Sequence, residues 1–161
     1  MDVSIRTLHK LLYAAAFVFP GALIIACSGN SKGSGVPEGS NKLKQYYIAG
    51  TELYIKHCSN CHRVDGSGLG LLYPPIDTSD YMDNHFNEVI HLMRFGHQGE
   101  LTVSGQHFNK IMPGNAALTD LEVAEIATYI YNTWSHSRGL VDVKEAAAVL
   151  DTARAIVLGS R

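Results

Sequence analysis

The segment "HCSNCHR", residues 57–63, places two cysteines and two histidines within seven positions. Thiolate and imidazole groups packed this closely could bind zinc, form a redox-active disulfide, or attach a haem. A structural zinc site commonly uses two separate pairs of ligands. The third cysteine of the chain, Cys27, lies far from this segment and leaves a single Cys-x-x-Cys pair, which disfavours zinc.

The order Cys58-Ser59-Asn60-Cys61-His62 matches the attachment signature of c-type haem. In this spacing two cysteines form thioethers to the two vinyl groups of the porphyrin, and the adjacent histidine reaches the iron from one face. A thioredoxin-like disulfide pair would instead follow a strand, whereas helical periodicity precedes Cys58. The sequence therefore predicts one covalently attached haem c, with His62 as an iron ligand.

The second axial ligand must come from elsewhere in the chain, and methionine is its usual source in electron-carrying cytochromes. Met112 is favoured because Pro113 and Gly114 follow it and force a turn that can direct the thioether towards a cofactor. Histidine in this position would lower the reduction potential. Four histidines remain as alternatives to methionine: His85, His91, His97 and His107.

Two helices are expected to position these ligands. The second is predicted to begin at Thr119, where Thr119 and Glu122 form a capping box and Asp120 places a negative charge in the first turn. Its apolar stripe comprises Leu121, Ala124, Ala127, Ile130, Tyr131 and Trp134. The first helix leads into Cys58 and is indicated by apolar, small and aromatic residues at helical spacing: Tyr47, Gly50, Leu53 and Tyr54.

The N-terminal segment has the features of an export signal. A basic start is followed by the uncharged run "LLYAAAFVFPGALIIAC", residues 11–27. "IIAC" resembles a bacterial lipobox, so residues 1–26 are predicted to be a lipoprotein signal peptide and Cys27 to be acylated. Residues 27–42 are rich in glycine and serine and are expected to form a flexible tether. A membrane-spanning anchor is the alternative.

With the haem motif, the Met-Pro loop and the two helices, residues 43–137 resemble a class I monohaem cytochrome c. The resemblance implies an all-α fold whose helices wrap around one covalently attached haem. Residues 138–161 exceed such a domain and are expected to add a C-terminal helix. This helix is expected to pack on the domain, and a docking role for it is the alternative.

The same resemblance suggests two further residues that contact the haem or its ligand. In this family a proline lends its backbone carbonyl to the proximal histidine. Pro75 is the preferred residue for this role and Pro74 the alternative. Arg94 is a candidate partner for a haem propionate, because arginine pairs well with carboxylates.

The expected function is electron transfer rather than enzymatic catalysis. A formal net charge of −2 offers no basic surface for nucleic acid, and two filled axial positions leave no site for a small-molecule substrate. We expect a lipid-anchored protein of the bacterial cell envelope, facing the periplasm, with redox proteins or respiratory-complex subunits as partners. The layout is similar to the lipid-anchored cytochrome of alternative complex III. An electron-accepting subunit of a periplasmic dehydrogenase is the main alternative, and a haem sensor or peroxidase a further one.

Overall fold

The computed structural model describes residues 35–159, with side chains through residue 152. The predicted signal peptide, Cys27 and most of the predicted tether lie outside this range. Within it, four helices are followed by four short strands and then by two further helices. The helices are α1 (Asn41–His57), α2 (Ser59–His62), α3 (Asp80–Asn84), α4 (Phe86–Phe95), α5 (Asp120–Ile130) and α6 (Val143–Gly159). The strands are β1 (Gly96–His97), β2 (Leu101–Val103), β3 (Gln106–Phe108) and β4 (Met112–Pro113).

Helices α1 and α5 cross at Gly50. A Cβ atom at this position would overlap the backbone carbonyl of Glu125 and would lie 2.9 Å from the Cβ of Tyr129. The two backbones therefore approach more closely than any side chain at position 50 would allow. The crossing brings the carboxyl end of α1, which carries the haem motif, against the core helix α5.

The predicted capping box of α5 is confirmed. The Thr119 hydroxyl accepts a hydrogen bond from the Glu122 amide at 3.2 Å, and the Glu122 carboxylate accepts one from the Thr119 amide at 2.7 Å. The hydrogen bonds that the Glu122 carboxylate accepts from the Thr119 amide and hydroxyl lower the pKa of Glu122. The helix ends at Ile130, earlier than its apolar stripe suggested, and Trp134 lies in the turn that follows with a φ of 56°. Leu121, assigned to that stripe, is 42% exposed.

The fold is predominantly helical, but two small antiparallel sheets were not expected from the sequence. Strands β2 and β3 form a hairpin, and β1 pairs with β4 so that Gly96 lies opposite Pro113 and His97 opposite Met112. Strands of two or three residues give too little hydrophobic periodicity to be recognised in a sequence. The β1–β4 pair matters for the site because it holds Met112.

The C-terminal helix α6 packs against α5, as the sequence favoured. Ala146 and Leu150 are fully buried, and so is Val141 just before the helix. The Thr128 hydroxyl on α5 accepts a hydrogen bond from the Val141 amide at 3.1 Å. Among the residues described, none of the helices combines the length and apolar composition needed to cross a bilayer.

Candidate functional site

An apolar cavity of about 600 Å³, partly open to solvent, lies among the helices. A neighbouring hollow of about 470 Å³ shares His62, Pro74, Leu92, Leu101 and Met112 with it. Cys58 lines the first space and Cys61 the second, whereas His62 and Met112 line both. The structure thus gathers the predicted attachment residues and the predicted axial ligands around one continuous region.

The end of α1 positions the two cysteines. Cys58 caps this helix, its amide donating to the Tyr54 carbonyl at 2.8 Å. The short helix α2 then turns the chain, and the His62 amide donates to the Cys58 carbonyl at 3.0 Å. Burial, with a smaller effect of Cys61, raises the pKa of the Cys58 thiol to about 12. Cys58 is therefore a neutral thiol at physiological pH.

His62 is oriented by a backbone carbonyl. Its Nδ1 lies 3.0 Å from the carbonyl oxygen of Pro74. Because a carbonyl can only accept, Nδ1 must carry the hydrogen, and the lone pair of the neutral ring is left on Nε2. Burial lowers the pKa of His62, partly offset by this hydrogen bond. The ring is thus held in the tautomer that can bind iron through Nε2.

Pro75 was the predicted source of this carbonyl, but the structure shows that Pro74 provides it. The intervening loop decides between the two. The Gly68 amide donates to the His62 carbonyl at 3.1 Å, and the Leu69 amide to the Tyr73 carbonyl at 2.9 Å. A Cβ at Gly68 would overlap the Tyr73 carbonyl, so the loop folds back tightly and presents Pro74 to the imidazole. Pro75 contributes to the wall of the larger cavity.

Met112 is held on the cavity wall by close backbone packing. Gly96 and Gly114 have no room for a Cβ, because each would overlap the backbone of the other segment. Beyond the strand, the Asn115 amide donates to the Met93 carbonyl at 3.1 Å. The loop that carries Met112 is therefore tied both to β1 and to the end of α4.

Arg94 occupies a different place from the one predicted. Its guanidinium is buried and donates to the Asp120 carboxylate at 2.8 Å. Arg94 is not among the side chains that line either cavity. The ion pair instead joins α4 to the first turn of α5. Arg94 therefore has a structural role in place of the predicted contact with a haem propionate.

Of the four alternative histidine ligands, only His97 lines one of the two spaces described above. His85 stacks on Tyr81, with ring centroids 4.3 Å apart. His91 packs against Phe95, and the His107 side chain is 67% exposed beside Glu100.

The apolar wall of the cavity was not predicted from the sequence, nor were the contacts that hold the loop after His62. The Tyr54 hydroxyl donates to the Arg63 carbonyl at 2.7 Å, and a Cβ at Gly66 would lie 2.9 Å from the Trp134 ring. Helical periodicity had assigned only Ile130 of the wall residues to an apolar stripe, and it carried no information about which side chains share a cavity. The wall residues include Met82, Val89, Leu92, Met93, Ile126 and Ile130.

The donor set and the lining fit a covalently attached haem. Two thiols border the space, one imidazole presents a free Nε2, and one thioether lines the same wall. The rest of the larger cavity is almost entirely apolar, which suits a flat macrocycle. Within the described part of the chain, no group of three or more histidine, cysteine or acidic side chains is arranged to hold a bare metal ion.

Comparison with known proteins gives consistent results. The family model described as "Cytochrome c" matches residues 47–134. Cytochrome c-552 of Thermus thermophilus is 26% identical over 109 residues, covering 62% of this chain and 78% of that protein. The cytochrome c subunit of the quinone alcohol dehydrogenase of Gluconacetobacter polyoxogenes is 26% identical over 108 residues, covering 65% of this chain. That alignment spans 23% of the subunit.

Proposed function

This chain belongs to the cytochrome c family, and from that premise we propose that it serves as a membrane-tethered monohaem electron carrier of a bacterial respiratory chain. Members of the family carry covalently attached haem c and transfer electrons. The observation that carries the proposal is the convergence of Cys58, Cys61, His62 and Met112 on one region, formed by the apolar cavity and the hollow beside it.

Each of these side chains has a role that follows from its chemistry. Cys58 and Cys61 attach the porphyrin through thioether bonds. His62 would hold the iron through its Nε2 lone pair, in a ring that Pro74 orients, and Met112 would hold it through its thioether sulfur. When bound, the haem supplies an iron that alternates between Fe(II) and Fe(III). A thioether ligand and an apolar, water-excluding wall favour the reduced state and raise the potential.

The tether is part of the same proposal and rests on the sequence. A signal peptide over residues 1–26 would export the chain to the compartment where thioether attachment takes place. Acylation of Cys27 would then hold the folded domain near a membrane, with residues 27–42 as the flexible tether between them. The partners are redox proteins or subunits of a respiratory complex, and a quinol-oxidising assembly such as alternative complex III fits this layout.

A second candidate function is that of an electron-accepting subunit of a periplasmic dehydrogenase. It is favoured by the similarity to cytochrome c subunits of quinone alcohol dehydrogenases. Purification from solubilised membranes separates the two, because a dehydrogenase would copurify in one case and respiratory-complex subunits in the other. A sensor or peroxidase would need an open iron position, and Met112 on the cavity wall argues against it.

The proposed function is tested on the purified holoprotein. We expect one haem c per chain by pyridine haemochrome assay, reversible one-electron reduction, and the weak far-red absorption band of methionine-ligated ferric haem. The native ferrous protein should not bind carbon monoxide rapidly. Rapid binding would show an open iron position and would overturn the carrier assignment.

The variant Cys58→Ala/Cys61→Ala should lose covalent haem, whereas His107→Ala, an exposed-site control, should keep it. Haem still covalently bound after both cysteines are replaced would contradict the attachment assignment.

A further inference from the structure

His97 has a buried ring nitrogen without a hydrogen-bond partner. Among the side chains that the structure describes, only two buried nitrogen atoms lack one, Nε2 of His97 and Nε of Arg94. The Arg94 guanidinium already donates to Asp120, whereas His97 lines the hollow beside the cofactor cavity. A buried polar atom left without a partner is destabilising, so a partner for the Nε2 lone pair or proton is expected there.

The backbone places His97 next to Met112. The two residues are direct partners in the antiparallel β1–β4 pair, and side chains of directly opposed residues emerge on the same face with Cβ atoms about 5 Å apart. Both side chains line the same hollow as His62. Glycines at positions 96 and 114 lock this register, since neither has room for a Cβ.

We propose that His97 is a second ligand for the haem iron, held in reserve beside Met112. When the Met112 thioether leaves the iron, the neutral His97 ring donates its Nε2 lone pair to the vacated position, with its hydrogen on Nδ1. The exchange breaks one iron–sulfur bond and forms one iron–nitrogen bond, with no change in electron count. The inference rests on the proposed function, because it requires a haem that is bound between His62 and Met112.

The exchange has a consequence for the potential. Imidazole favours Fe(III) more than a thioether does, so bis-histidine ligation lowers the reduction potential. The cross-strand pair would thus present two alternative iron ligands to the same face of the haem. Met112 would give a higher reduction potential and His97 a lower one. His97 would keep the iron six-coordinate and closed to small ligands even when methionine is displaced.

The test compares absorption and electron paramagnetic resonance spectra of holoprotein variants at neutral pH. Met112→Ala should lose the far-red band, remain six-coordinate and low-spin, and show a lower potential than the wild type. Met112→Ala/His97→Phe, which keeps a flat ring but removes the nitrogens, should become high-spin and bind carbon monoxide rapidly. Met112→Ala/His107→Ala is the matched control and should behave like Met112→Ala alone.

Two outcomes would overturn the inference. One is a Met112→Ala protein that is already high-spin, and the other is a low-spin state that survives in Met112→Ala/His97→Phe. If the Met112→Ala protein does not retain haem, Met112→Val is used in its place, and the same spectroscopic outcomes are expected. In either overturning case a wild-type protein with covalent haem and reversible reduction leaves the proposed function standing, so the two failures are distinguishable.

Discussion

At the residue scale, the site depends on hydrogen bonds that orient the His62 ring and hold the backbone just after it. Pro74 orients the His62 ring, and Tyr54 fixes the backbone just after it. The Tyr54 side chain is fully buried, and its hydroxyl donates to the carbonyl of Arg63. Arg63 has a φ of 62°, an unfavourable region for a residue with a Cβ. The strained turn is therefore held by a neighbour nine positions earlier.

Replacing Tyr54 with phenylalanine should destabilise this turn. Burial raises the pKa of Tyr54 well above its usual range, so the phenol stays protonated and can donate at physiological pH. Losing the bond should lower the free energy of unfolding by about 1 kcal/mol, measured by urea denaturation of the holoprotein. Tyr73→Phe is the control, because the structure shows no hydrogen bond from that hydroxyl. Equal effects of the two variants would refute the assigned role.

At the element scale, the crossing of α1 and α5 determines where the haem motif lies. The two helices meet at Gly50, and the aromatic side chains of Tyr54, Tyr129 and Trp134 pack beside the crossing, with ring centroids 5.2–5.7 Å apart. The end of α1 therefore has a defined position relative to the core. The β1–β4 pair plays the corresponding role for Met112.

Gly50→Ala should destabilise the protein, although replacing glycine with alanine inside a helix is usually stabilising. In an exposed helix interior, alanine is more favourable than glycine by about 1 kcal/mol. At the crossing the new methyl group would overlap the Glu125 carbonyl, and overpacking of this kind costs about 1–3 kcal/mol. Thermal unfolding of the holoprotein should therefore show a lower midpoint. Gly35→Ala, whose Cβ would lie 3.6 Å from the Tyr47 hydroxyl, is the control and should change the midpoint little.

At the scale of the whole molecule, a folded domain follows a segment with the features of a membrane anchor. The face of α6 that carries Ala146 and Leu150 is buried, so this face is not available to a partner. Association with a membrane would then depend on the N-terminal segment. In the proposed arrangement, residues 1–42 would determine location and the domain would carry out electron transfer.

Replacing Cys27 with alanine should release the protein from membranes. Acyl chains on this cysteine provide the anchor in the proposed arrangement, and about 0.8 kcal/mol per buried methylene is lost without them. Membrane fractionation of cells that express the full-length chain measures the effect, with Ser28→Ala as the control that should stay membrane-bound. Continued membrane association of Cys27→Ala would instead indicate an uncleaved spanning segment or a tightly bound partner.

The features that were predicted correctly from the sequence depend on residues that are close together in the chain. The capping box of α5 depends on Thr119 and Glu122, three positions apart, and its hydrogen bonds form wherever a helix begins there. The Cys58-to-His62 motif is similarly local, because thioether spacing and the adjacent ligand are contained in five consecutive residues.

The tertiary structure determined the contacts between residues that are far apart in the chain. The choice of Pro74 over Pro75, the pairing of Arg94 with Asp120, and the placement of His97 beside Met112 each depend on how loops fold back on helices. Such contacts are selected by the free energy of packing the whole core, and no short pattern encodes them. By itself the sequence determined the haem chemistry and the helices that carry it, because those interactions are local. Only the fold determined how the ligands are oriented and which side chains surround them.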